Sequence, residues 1–355
     1  MDNKITKKRL SNFLSYEWVL MIVIVVALII GWEFIYSATS VKLSTGQQFK
    51  YYYDLETHSG TNDVYHLVKD KFSFEVLSLN REDIKPELDL LAVRLTGQDG
   101  DVIFTNSIEK KDSQNNNLPV RAKEVIDKFS VYDYNSLLRD ACDYVGTRFL
   151  LDAVTYPLMD TSSTDKEVLA QRNKEDISIT RLAQKVNAVN VQNLDNAKIE
   201  KYFADRTVRD NRFHTKEQKE NGKLQEIARI KSLCTEISDF YRLLTCDVNG
   251  LFYTYTKHTQ ENLNSTNNQY QEKVDSEIAN GRENAVYGLN LGKLTFSSTN
   301  SHKKSVSDYI KIKDTATADG VVLSVFNFKN SQLDTQFETI AFVNQIVRVF
   351  SDFLD

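Results

Sequence analysis

The chain has 355 residues, 41% of them hydrophobic and 26% charged, with a formal net charge of −5. That length supplies ample material for a core, and the apolar content separates the chain from disordered sequences. The acidic balance speaks against nucleic acid or an anionic surface as a partner, because both select basic patches.

In chain order, the first element is an apolar run from Trp18 to Ile30 with no polar residue inside it. Extended through Tyr36, it reads as a membrane-spanning helix. Tyr16 and Tyr36 would stand roughly 30 Å apart on a helix rising about 1.5 Å per residue, the thickness of a hydrocarbon core. Trp18 and Trp32 lie just inside them, where aromatic rings favour the headgroup boundary. Lys4, Lys7, Lys8 and Arg9 precede the run, and the next basic residue is Lys42. This asymmetry predicts a cytoplasmic tail over 1–14, a single-pass helix over 15–38 with the lipid bilayer as its partner, and an extracytoplasmic remainder. The second reading is a cleaved signal peptide, with Ser37, Ala38, Thr39 and Ser40 as small residues for a peptidase. The bulky stretch Trp32-Glu33-Phe34-Ile35-Tyr36 favours the anchor, and both readings export the domain. A lipoprotein anchor is excluded, since the first cysteine is Cys142. Residues 1–39 carry four basic and three acidic side chains, which leaves −6 on the exported part.

The exported part divides into three stretches, 40–118, 119–250 and 251–355. In the first, Phe49–Leu55 and Phe72–Leu79 read as strands, as does Gly100–Phe104. Val64, Leu67 and Val68 make a short helical stripe, and Leu88, Leu91, Ala92 and Leu95 make an amphipathic one. Strand–helix alternation implies crossover connections and a parallel sheet. The second stretch is predicted almost wholly helical. One stripe runs through Leu138, Cys142, Val145 and Phe149, and another through Leu224, Ile227, Ile230, Cys234, Ile237, Tyr241 and Leu244. The third returns to mixed structure: a strand at Leu251–Thr256, an Asn- and Gln-rich loop over 261–271 with the sequon Asn264-Ser265-Thr266, a strand within Gly320–Phe328, and a closing helix through Phe337, Ile340, Ile346, Val347 and Phe350.

The fold class expected is therefore α/β, an N-terminal transmembrane helix followed by a helix-rich ectodomain. Cys142, Cys234 and Cys246 are too few and too scattered for a disulfide framework, and they read as buried thiols, with one disulfide as the alternative outside the cytoplasm. The five histidines show no metal-ligand spacing, and no nucleophile elbow or phosphate loop occurs. No cofactor, no catalysis and no nucleic-acid partner are expected. The run from Arg206 to Lys219 reads as a solvated helix-and-turn surface, with a docking face for an acidic partner as the alternative.

The segment from Tyr51 to Ser107 resembles the opening of an extracytoplasmic solute-binding protein. Its pieces are YYYD, then THSGTND, then FSFEVLSL, then LDLLAVRLTGQDGDVIFTNS, and the closing strand and helix, GVVLSVFNF and QFETIAFVNQIVRVF, are also similar. The middle stretch is more helical than that family's second lobe, and a membrane helix replaces the lipid anchor. The resemblance implies two lobes closing over a small molecule such as a sugar. Ligands of open parallel sheets sit beyond the carboxyl ends of the strands. Ser59, Gly60, Thr61 and Asn62 follow the first strand, and Thr105, Asn106 and Ser107 end the third, so these are the candidate ligand-binding residues. Ordinary caps and turns use the same residue types. Tyr51, Tyr52 and Tyr53 are either a stacking wall for a sugar or core. A second expectation is an envelope scaffold whose helical stretch contacts a membrane or envelope protein.

Overall fold

The computed structural model describes residues 18–39, 47–55, 62–84, 88–97, 100–111, 117–118, 120–255, 285–297, 301–313, 315–327 and 335–355. Its contacts divide the chain into two units, Met1–Ser44 and Thr45–Asp355. The first unit holds α1, Trp18–Thr39. Its stretch Trp18–Ile35 has a mean hydropathy of 2.7 and no buried residue, so α1 is long and apolar enough to cross a membrane.

The second unit is built on a six-stranded mixed sheet. The elements of its first stretch are β1 (Gln48–Asp54), α2 (Tyr65–Val68), β2 (Ser78–Asp83), α3 (Leu88–Thr96) and β3 (Val102–Asn106), followed by the two-residue strands β4 (Lys110–Lys111) and β5 (Asn117–Leu118). A helical series follows: α4 (Arg121–Lys128), α5 (Tyr134–Phe149), α6 (Lys166–Asp176), α7 (Ile179–Ala188), α8 (Asn196–Arg206) and α9 (Lys216–Leu244). The chain closes with β6 (Phe252–Tyr255), β7 (Ala285–Asn290), β8 (Val321–Val325) and α10 (Glu338–Phe350).

The strand order is β2-β1-β3-β8-β7-β6. As the strand–helix alternation predicts, β1 runs parallel to both β2 and β3. From β3 onward every pairing is antiparallel. Residues 72–77, expected to open the second strand, are irregular, and β2 begins at Ser78. A turn closed by the Val76 amide on the Ser73 carbonyl carries Glu75 toward the helical series instead of continuing the pleat.

Period-two alternation sorts β1 between two cores. Phe49, Tyr51 and Tyr53 enter the larger one with residues of α5, α9 and α10, while Tyr52 enters the smaller one with Leu88 and Leu91 of α3 and Val125 and Ile126 of α4. All five residues of β3 and all five of β8 are buried, as expected of central strands covered on both faces. The three tyrosines are 0–2% exposed, so they are core and form no exposed stacking wall.

Helix α9 is the long spine of the helical series, 29 residues opened by a capping box between Thr215 and Gln218. Its buried stripe includes Ile230, Cys234 and Ile237 as predicted, whereas Leu224 is 66% exposed. Helix α10 is buried nearly all round, polar residues included. Cys142 and Cys234 are buried free thiols, and Cys246 is a half-buried one.

Candidate functional site

Two places bear on function: the carboxyl edge of β1 and β3, where the sequence points, and a charged cleft that it does not. The first lies where the strand order turns from β2-β1 to β1-β3, the switch point at which open α/β sheets bind ligands. Ser59, Gly60 and Thr61 lie outside the described residues. Asn62 is exposed, and its amide donates to the Asp308 carbonyl at 3.2 Å. Its neighbour Asp63 accepts from the Tyr51 hydroxyl at 2.9 Å, the Tyr65 amide at 2.9 Å and Arg81 at 3.1 Å. Burial raises the Asp63 carboxyl, but these hydrogen bonds outweigh it and hold the group below its ordinary value.

Thr105 pairs in register with Asp54 at the ends of β3 and β1. Asp54, 4% exposed, is held by Arg121 through Nε at 2.6 Å and Nη2 at 3.3 Å. The Thr105 hydroxyl donates to the Val322 carbonyl at 3.4 Å, and the Ser107 hydroxyl to the Gly320 carbonyl at 3.0 Å. Asn106 Oδ1 accepts from the Ile108 amide at 2.8 Å. Thr105 and Ser107 therefore fasten the end of β3 to β8 and its preceding turn, and Asn106 braces the chain just beyond β3.

The second place is a cleft of about 300 Å³ between residues 71–74, one side of α9 and the first turn of α10. Its inner wall carries Ser73, Arg229 and Glu338 among Phe72, Phe74 and Phe337. The Ser73 hydroxyl donates to Glu338 Oε1 at 2.6 Å, and its amide to Oε2 at 3.4 Å. Arg229 Nη1 stands 3.9 Å from the same carboxylate. Burial pushes the Glu338 carboxyl up, against the opposing pull of Arg229 and the Ser73 hydrogen bonds.

Behind this wall a ladder of charges runs away from the cleft. Arg229 donates to Glu226 through Nη2 at 2.7 Å and Nε at 3.0 Å, and to the Tyr144 hydroxyl at 3.2 Å. Glu226 accepts from Arg206 at 2.7 Å, and Arg206 also reaches Glu75 at 2.6 Å. Arg212 joins Glu75 at 2.9 Å and Asp210 at 2.7 Å. Glu75 and Glu226 are 3% and 0% exposed. A buried carboxylate without a counter-charge is strongly unfavourable, so these two dictate where the arginines go. This corrects the solvated reading of the run from Arg206 to Lys219. His214, Lys216 and Lys219 do lie exposed, but Arg206 and Arg212 turn inward over the rings of Phe203 and Phe213.

A signal for the ladder exists in the sequence. Glu226 and Arg229 sit four residues before Ile230 and Leu233, at positions of the apolar stripe of α9. Charges at core positions three apart on one helix predict each other as partners. Glu75 carries no such signal, because its placement depends on the turn at 73–76.

No protein-family model, curated protein or solved structure matches this chain.

Proposed function

We propose that this chain is a non-catalytic, extracytoplasmic binding module for a small molecule, anchored by α1 with its N-terminus in the cytoplasm. The observation that carries the reading is the cleft at Ser73, Arg229 and Glu338. Apolar walls with a few convergent polar groups are the usual makeup of small-molecule sites. The hydropathy of α1 and the basic residues preceding it support the anchor and its orientation.

The order β1-α2-β2-α3-β3 and the closing pair β8-α10 support the solute-binding-protein-like reading. Two lobes closing on a solute would hinge the helical series against residues 71–74 across this cleft, since its walls come from both. The carboxyl edge from Asn62 to Ser107 contributes less to the proposal, because its described side chains are engaged within the fold.

The test is thermal unfolding of the full chain in detergent against sugars, amino acids, peptides and amines. A ligand at about a hundred times its Kd stabilises by roughly 2.7 kcal/mol, a clear shift in midpoint. A selective shift supports the module. A cooperative melt that no compound moves would overturn it. An envelope scaffold would then be favoured by the apolar side chains of the connection between α5 and α6, where Leu151, Val154 and Leu158 are 63%, 96% and 50% exposed within eight residues.

A further inference from the structure

We infer that the cleft takes an organic ammonium group, seated against Glu338 and flanked by Phe72, Phe74 and Phe337. The inference rests on the binding-module reading and names its ligand class.

The ladder holds four carboxylates, Asp210, Glu75, Glu226 and Glu338, against three arginines, so it is one positive charge short. The shortfall falls at the cleft end. Asp210, Glu75 and Glu226 each sit within 2.9 Å of a guanidinium nitrogen, whereas the closest guanidinium nitrogen to Glu338 is 3.9 Å away. Arg229 spends Nε and Nη2 on the bidentate pair with Glu226 and on Tyr144, and only Nη1 stands toward Glu338, beyond hydrogen-bond distance. The other carboxylate at the wall, Glu236, is already paired with Arg348 at 2.9 Å. Lys71 stands exposed at the rim.

The surface around the carboxylate is largely apolar. Glu338 is 9% exposed and Phe337 2%, with Leu233 and Ala341 beside them. A strongly hydrated metal ion wants several oxygen ligands, and among the described residues no group of three His, Cys, Asp or Glu is placed to hold one. An ammonium on a hydrocarbon stem suits the cleft instead. Its charge meets the carboxylate, and the stem replaces water on the apolar wall. A sugar would leave the charge of Glu338 without a close partner. A carboxylate ligand would face Glu338.

Three compounds of one shape separate these classes: phenethylammonium, 2-phenylethanol and phenylacetate, each added at 10 mM to the full chain in detergent while the thermal midpoint is followed. The expected result is a rise of about 2 °C or more with phenethylammonium alone. Glu338→Gln keeps an acceptor for Ser73 and removes the charge, and about tenfold or more of the affinity should go with it. A phenethylammonium shift that survives in E338Q would overturn the inference, since binding would lie elsewhere. A shift with phenylethanol or phenylacetate instead would overturn the ligand class and leave the binding module standing. No shift with any of the three would also overturn the class, while the wider panel decides the module separately.

Discussion

Glu338 is buried with its carboxyl pushed up, so its ionisation works against the folded state. Arg229 and Ser73 oppose the shift, and Glu226 adds to it. A carboxyl raised in this way contributes stability fully below its unfolded value of about 4.3, and loses that contribution as pH rises through the folded value. The E338Q variant does not ionise at this position. Its unfolding midpoint should lie nearest that of the parent chain at or below pH 4 and pull ahead of it as pH rises through the folded value. Thermal melts of the two proteins at matched pH steps check this, and a gap of constant size would refute it. Asp133, also raised by burial, is common to both proteins and cancels. Asp63 has the opposite sign: its carboxyl is held low, so its contribution fades as pH falls in either protein.

At the scale of elements, the crossing of α8 and α9 controls the ladder, because Arg206 on one meets Glu226 on the other. Gly222 sits at that crossing. A Cβ there would come 2.3 Å from Phe203 Cζ and 2.7 Å from Phe213 Cε1, too close without repacking. Gly222→Ala should destabilise by about 1–3 kcal/mol despite alanine's better helix propensity. Denaturant unfolding should show a lower midpoint at unchanged slope. The elements themselves are largely legible in the sequence. The period-two pattern of Phe49, Tyr51 and Tyr53 and the apolar stripe of α10 depend on local residue order, and the fold keeps both. The segment at 72–77 is different. Its alternating Phe72, Phe74 and Val76 imitate a strand, but a long-range demand, Glu75 pairing with two arginines more than 130 positions away, bends it into a turn. The cleft inherits that illegibility, since Ser73 reaches Glu338 only because the segment turns. Of the residues the sequence singles out as a site, Thr105, Asn106 and Ser107 do lie at a strand end. Small polar residues there serve closure of the sheet as readily as recognition, and periodicity does not tell the two apart.

At the scale of the whole molecule, α1 fits two fates, a permanent anchor or a removed signal. The anchor reading predicts that the protein isolated from its native membrane keeps residues 1–39, with a mass that includes them, and stays with the bilayer through alkaline extraction. Intact-mass measurement on that material decides the matter: a chain starting near residue 40, released into the soluble fraction, would remove the anchor from the proposed function.

The place of β8 in the sheet has a consequence for how the protein is made. Residues 321–325 lie between β3 and β7, so the last of the six strands to be synthesised is a middle strand of the sheet. Until it arrives, β1, β2 and β3 expose one apolar edge and β7 another, each a template for pairing with a second nascent chain. A chain made in order from its N-terminus would thus wait, its sheet unfinished, until residues 321–325 emerge. Its early strands need shielding during that interval, and any ribosome that stops short of residue 321 leaves two half-sheets with nothing to join them.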